Sequence, residues 1–144
     1  MSAVVKEVAR KLGGQKVLGR PIRSMADLAI VVHGRLPLIS LKQISREGIS
    51  DQEIDRLIIP PRTRRHRAEK NQPLSLDESD RTVRLVRIQT IAEEAFDDKE
   101  KAGRWLRQPL AELDGEAPLD VAQTEAGARV IETILGKIAW GAAA

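Results

Sequence analysis

Residues 49–70 read ISDQEIDRLIIPPRTRRHRAEK, and the fold class turns on how this stretch is divided. Ser50 and Glu53 form an S-x-x-E capping box, in which each side chain satisfies an orphan backbone N–H of the other residue. Ile49 and Ile54 are placed as the hydrophobic staple beside it. The helix so started carries Ile54, Leu57 and Ile58 inward and ends at Pro60, because a residue preceding proline is pushed out of the helical region. Pro61 suits a first helical position, where its missing N–H costs nothing. A second, basic helix is therefore predicted from Pro61 to about Lys70, broken by Asn71-Gln72-Pro73. Helix, proline turn and basic helix in this order match a helix-turn-helix, whose second helix enters a DNA major groove. Arg62, Thr63, Arg64, Arg65 and Arg67 are the candidate DNA contacts, with Lys70 a further candidate for phosphate. A solvated charged linker is the plain alternative. The basic helix has almost no apolar face beyond Ala68, and a helix polar all round is rarely stable alone.

Working outward, helical patterns continue on both sides, and no segment alternates like a strand between hairpin turns. The fold class expected is all-α. A first helix is predicted from about Ala3 to Leu12, stopped at Gly13-Gly14 and followed by a Gly/Arg/Pro connector. Ser24 can cap a second, with Asp27 in its first turn and Leu28, Val31 and Val32 on one face, ending at His33-Gly34. Residues 36–47 place Leu38, Leu41 and Ile44 at three-residue spacing, with Gly48 as terminator. Beyond Pro73, LSLDESDR suggests a capped start. Val83, Leu85, Val86, Ile88, Ile91, Ala92, Ala95 and Phe96 then form a stripe broad enough for a central helix. Asp98 can cap a short helix bearing Ala102, Trp105 and Leu106, closed by Pro109. A loop, LAELDGEAPLD, leads to Thr124 as cap of a last helix carrying Ile131, Ile134, Leu135 and Ile138. The domain boundary is expected at residues 72/73, giving domains 1–72 and 73–144.

The charge is divided along the same line. Residues 1–70 hold 15 Lys/Arg against 7 Asp/Glu, a net +8, and residues 71–144 hold 9 against 14, a net −5. A basic half and an acidic half point to two functions, one facing a polyanion and one facing a protein. With Trp105, Trp140 and Phe96 the only aromatics, a stacking platform for single-stranded bases is excluded. Without cysteine, so are disulfide frameworks, thiolate metal sites and cysteine nucleophiles. The first dozen residues lack the apolar core of a signal peptide, and no stretch approaches the ~18 apolar residues of a membrane span. A cytoplasmic protein without membrane contact is expected.

Catalytic chemistry has little to stand on. His33 and His66 have no partner at metal-ligand spacing. Glu93-Glu94 and Asp97-Asp98 are adjacent in sequence, so on a helix they splay about 100° apart and share no site. The glycines at 13, 14 and 19 follow a helix and lack the spacing of a phosphate loop. No enzyme activity, cofactor or metal is expected. Trp140 reads either as a core anchor or as a projection into a partner's cleft, given the small residues that follow it.

Together these residues resemble the Xre/MbcA/ParS antitoxins of bacterial type II toxin-antitoxin systems. The likeness rests on Ser79-Asp80-Arg81, then Ala95-Phe96, Ala102, Trp105-Leu106, Pro109, Leu113, Gly115, Pro118-Leu119-Asp120, Thr124, Gly127, Val130, Leu135, Ile138 and Gly141. It covers about residues 58–144, and residues 1–57 fit only as variable N-terminal helices. The resemblance implies an N-terminal Xre-like helix-turn-helix domain, a small helical toxin-binding domain and a homodimer. It also implies operator DNA and a RES-domain toxin acting on NAD as partners, the toxin's cleft being covered by the antitoxin's last helix and tail. Carried onto this chain, Lys137, Ile138, Trp140, Gly141 and Ala142 face the toxin, while Trp105, Leu106, Pro118 and Leu119 build the domain that presents them. A freestanding regulator whose C-terminal domain only dimerises is the alternative. One position departs from the family, whose recognition helix often opens R-T-L. Here Arg62-Thr63 is followed by Arg64, so a charge stands where leucine would face the core. A shifted or poorly packed helix contacting mainly phosphates is the expected consequence.

Overall fold

The computed structural model describes residues 2–143, with side chains from residue 3 to residue 141. Among these residues the elements are helical: α1 Ser2–Lys11, α2 Gly14–Leu18, α3 Met25–His33, α4 Ile39–Ser45, α5 Asp51–Leu57, α6 Pro61–Glu69, α7 Leu76–Phe96, α8 Lys99–Arg107, a 3-10 turn Ala111–Leu113, α9 Pro118–Val121 and α10 Glu125–Ala143. The chain divides into two compact units, residues 1–83 and 84–144.

In the first unit, Val5, Val8 and Leu12, Leu28 and Val31, Leu36, Leu41 and Ile44, and Ile49, Ile54, Ile58 and Ile59 are all buried. The predicted caps form. Ser24 Oγ accepts from Asp27 N at 3.2 Å, and the Ser50/Glu53 box closes in both directions at 3.0 and 3.1 Å. Ser40, buried at the start of α4, donates its hydroxyl to Leu12 O at 2.8 Å, satisfying a carbonyl left over at the end of α1.

Two elements here differ from the sequence expectation. Gly13-Gly14 ends α1 as expected, both residues having positive φ, but the connector behind it contains a short helix, α2, that starts at Gly14. The helix expected from residue 36 begins three residues later at Ile39, because Leu36 is committed elsewhere. Its N–H donates to Ser79 Oγ at 2.9 Å and its carbonyl accepts from Leu74 N at 2.9 Å.

Those bonds also bear on the boundary expected at 72/73. The units divide about ten residues later, inside α7, because its opening turns belong with the first unit. Ser79 ties α7 to Leu36 ahead of α4, and Arg81 Nη1 ties it to the turn after α5 by donating to Ile58 O at 3.3 Å.

In the second unit the buried side chains are Leu85, Val86, Ile88 and Ala92 of α7, Ala102 and Leu106 of α8, Leu119 and Ala122 around α9, and Ala128, Ile131 and Leu135 of α10. Phe96 and Trp105 pack with ring centroids 5.7 Å apart, and Lys101 Nζ lies 5.9 Å from the Phe96 centroid. The segment expected as a loop contains the 3-10 turn and α9, in which Pro118 takes the first helical turn and is buried. Asp114 and Gly115 turn the chain with positive φ, letting Leu110 and Glu116 pair as an isolated bridge. Thr124 Oγ1 caps α10 by accepting from Gly127 N at 3.0 Å. A Cβ on Gly127 would stand 1.7 Å from Val121 O, so only glycine lets α10 start this close to α9.

Candidate functional site

Two surfaces carry the candidate functional residues, one in each unit. The first is α6. Pro60 adopts extended angles (φ −61°, ψ 148°) and Pro61 opens the helix, as its fixed φ favours. The turn before it is anchored by Ile58 and Ile59, both buried. At the far end Asn71 takes a left-handed φ of 53°, and Gln72 N reaches back to Arg67 O at 2.9 Å, closing the helix with a Schellman-type bond.

No residue of α6 is buried, yet its exposure is uneven. Thr63, Arg64 and Arg67 are half-buried, whereas Arg62, Arg65, His66 and Glu69 are exposed. Each set follows helical spacing (63, 64, 67 against 62, 65, 66, 69), so the helix has an inner and an outer stripe. Arg64 lies on the inner stripe, half-buried. Of the five residues expected to touch DNA, Arg62 and Arg65 stand on the outer stripe, and Thr63, Arg64 and Arg67 lean inward.

Arg67 is committed further. Its Nη1 bonds Glu78 Oε1 in α7, and both side chains are largely shielded, 21% and 11% exposed. The same Oε1 accepts from Ser75 N at 2.7 Å, and Glu78 N donates to Ser75 Oγ at 3.1 Å, forming a second capping box. Burial alone would raise the Glu78 carboxyl. The bonds from Arg67 and from Ser75 outweigh it and hold the group below its ordinary value, so it stays ionised.

His66, which has no partner at metal-ligand spacing in the sequence, shares the outer stripe with Arg62 and Arg65. Its signal was its offset: four residues after Arg62 and one after Arg65, a placement that becomes meaningful only once the inner stripe is known.

The second surface is the end of α10. Buried positions stop at Leu135, Ile138 is half-buried, and Gly136, Lys137, Ala139, Trp140 and Gly141 are exposed. Trp140 is 79% exposed, which rules out the core-anchor reading. At 1.5 Å per residue, the helix continues about 12 Å past its last buried residue. Gly136 lies one turn before Trp140, and a Cβ there or at Gly141 would meet nothing within 4 Å. A mid-helix glycine costs stability without a packing reason here, and this was the signal by which Gly136 could have been picked out. The Ala142 side chain lies outside the described residues. In the domain behind this helix Trp105 is half-buried and Leu106, Pro118 and Leu119 are buried.

Among the described residues no group of three or more His, Cys, Asp or Glu side chains could hold a metal ion, and no helix is long and apolar enough to cross a membrane.

Comparison with known proteins agrees with this division. Residues 27–87 match the family model described as Antitoxin Xre-like helix-turn-helix domain, and residues 92–141 the one described as Antitoxin Xre/MbcA/ParS C-terminal toxin-binding domain. Antitoxin Xre of Pseudomonas putida is 42% identical over 84 residues, covering 58% of this chain and 53% of its own length. Prs ADP-ribosylating antitoxin of a Sphingobium species is 35% identical over 103 residues, covering 64% and 65%. Antitoxin Xre of Photorhabdus laumondii is 28% identical over 129 residues, covering 88% and 87%. The match thus spans about half to two-thirds of the first two relatives. With an all-helical architecture and both domain models matched in order over residues 27–87 and 92–141, the chain belongs to the Xre/MbcA/ParS antitoxin family.

Proposed function

We propose that the protein is an antitoxin that neutralises a RES-domain toxin acting on NAD by laying the end of α10 into the toxin's active-site cleft, and that it represses its own operon by binding operator DNA through α6. The observation that carries the first half is Trp140. An aromatic ring 79% exposed, on a helix end without buried positions and beside an open Gly136, has the form of an interface anchor. Lys137, Ile138 and Gly141, with Ala142, complete the proposed contact. Inhibition by covering a cleft needs shape and a few anchors, and no catalytic group of this chain takes part. The name of the Sphingobium relative, which pairs an antitoxin with ADP-ribosylation, is in keeping with a toxin that consumes NAD.

The second half rests on the outer stripe of α6. Arg62, Arg65 and His66 are free to reach phosphates and base edges, and Arg62 lies in the first turn, where recognition helices meet bases. A homodimer would present two such helices to half-sites about one DNA turn apart. A freestanding regulator that uses Trp140 to bind a second copy of itself is the competing reading.

Co-expression with the product of the neighbouring gene separates the two. The antitoxin reading predicts a stable hetero-complex and rescue of growth, both lost when residues 138–144 are removed. A truncated chain that still rescues growth would overturn occlusion by this helix end.

A further inference from the structure

The basic helix α6 has a problem that its proposed role in DNA binding makes acute: it has no buried apolar side chain of its own. None of its residues is buried, its half-buried stripe is Thr63, Arg64 and Arg67, and its single alanine is exposed. A nine-residue helix is marginal on its own in water, and burial of an apolar face is what normally fixes such a helix in place. Here the two ends are fixed by the buried Ile58-Ile59 and the buried Leu74. Between them the tie is the Arg67–Glu78 ion pair. Among the described residues Arg62, Arg64 and Arg65 make no such bond.

We propose that Arg67 is a positioning residue which, through Glu78, holds α6 in the attitude that presents Arg62, Arg65 and His66, and that it does not itself touch phosphate. The inference rests on the DNA-binding reading of α6 and adds how the helix is kept in place. Three features support it. The Arg67 guanidinium is largely shielded, unlike the exposed Arg62 and Arg65. Glu78 is itself buried and pinned by Ser75, so it is a rigid anchor and not a mobile surface carboxylate. The carboxylate also sits in the opening turn of α7, where an anion is favoured by the helix dipole.

The decisive variant is Glu78→Gln. Glutamine keeps the shape and can still serve the S-x-x-Q box that caps α7, so the change removes the charge and little else. Charge alone predicts tighter DNA binding, because a negative group near the phosphates is gone. A phosphate-contacting Arg67, released from its partner, predicts the same. The latch predicts the opposite sign.

The test measures affinity for a duplex from the region upstream of the chain's own gene, together with backbone amide exchange across residues 64–72. Glu78→Gln and Arg67→Ala are expected to weaken binding about ten-fold or more and to speed α6 exchange by a similar factor, leaving α5 and α7 protected. Arg67→Lys, which keeps the charge without the planar fork, is expected to fall between these and the native chain. Tighter binding by Glu78→Gln, or unchanged α6 exchange in both variants, overturns the proposal. If the native chain shows no salt-dependent affinity for DNA, the DNA reading falls, and exchange still decides whether Arg67 and Glu78 hold the helix.

Discussion

Replacing Trp140 by alanine separates folding from partner binding more sharply than other single changes in this chain. A tryptophan side chain offers about 150–250 Å² of contact area. With 79% of the residue exposed, up to roughly 200 Å² is left for a partner to cover. At about 25 cal/mol per Å² the ceiling is about 5 kcal/mol. Side-chain ordering and imperfect packing reduce this to the about 2–4 kcal/mol usual for an aromatic anchor. The toxin affinity of Trp140→Ala is therefore expected to fall about 30- to 1,000-fold. Stability should hardly move, since substitutions of exposed side chains stay within about 0.5 kcal/mol. Calorimetric titration against the toxin reads the first quantity and thermal unfolding of the free chain the second. The reasoning fails if affinity is unchanged, and equally if the loss is accompanied by a large drop in melting temperature, which would make Trp140 part of the fold.

Three further outcomes follow from the geometry. Gly136→Ala should raise the unfolding free energy by about 0.5–1 kcal/mol, as glycine-to-alanine changes in open helix do, while weakening toxin binding by crowding the face beside Trp140; both shifts are read in the same two assays. Gly127→Ala should destabilise the second unit by about 1–3 kcal/mol, toward the upper end because the added Cβ meets the Val121 carbonyl at 1.7 Å and not a yielding side chain; denaturant unfolding checks this, and a neutral result would show that α10 can start elsewhere. Arg62→Ala with Arg65→Ala should lower the slope of log affinity for operator DNA against log salt by about two units, about one for each lost phosphate contact; an unchanged slope would move the contact off the outer stripe of α6.

Much of this architecture is legible in the sequence, and what escapes it has physical reasons. The capping boxes and caps at Ser50, Ser24, Asp98 and Thr124 are local chemistry, so they read directly and the helices they start form where expected. Helix α2 escapes because five residues behind the Gly13-Gly14 stop are too few to show a period. Helix α9 escapes because four residues are too few to show a period. The compact units part at residue 83, later than the local break at Pro73, because Ser79 and Arg81 bond backward to Leu36 and Ile58, tertiary contacts that no local pattern contains.

The candidate sites divide in the same way. A run of arginines at 62, 64, 65 and 67 announces a basic helix, but its inner and outer faces depend on what it leans against. Arg67 looks like its neighbours until Glu78 is placed beside it. Arg64 is half-buried on the inner stripe, and the prolines before the helix and the Schellman bond after it fix both its ends. Trp140 could be read either way from composition, and only its exposure decides.

The central claim is that the end of α10 blocks a toxin's NAD site. It is tested most directly by following NAD consumption by the purified RES-domain partner while this chain is added to it. Turnover is expected to fall to background at a fixed stoichiometry with the intact chain and to persist when residues 138–144 are absent. Equal inhibition by both forms, or none by either, would contradict it.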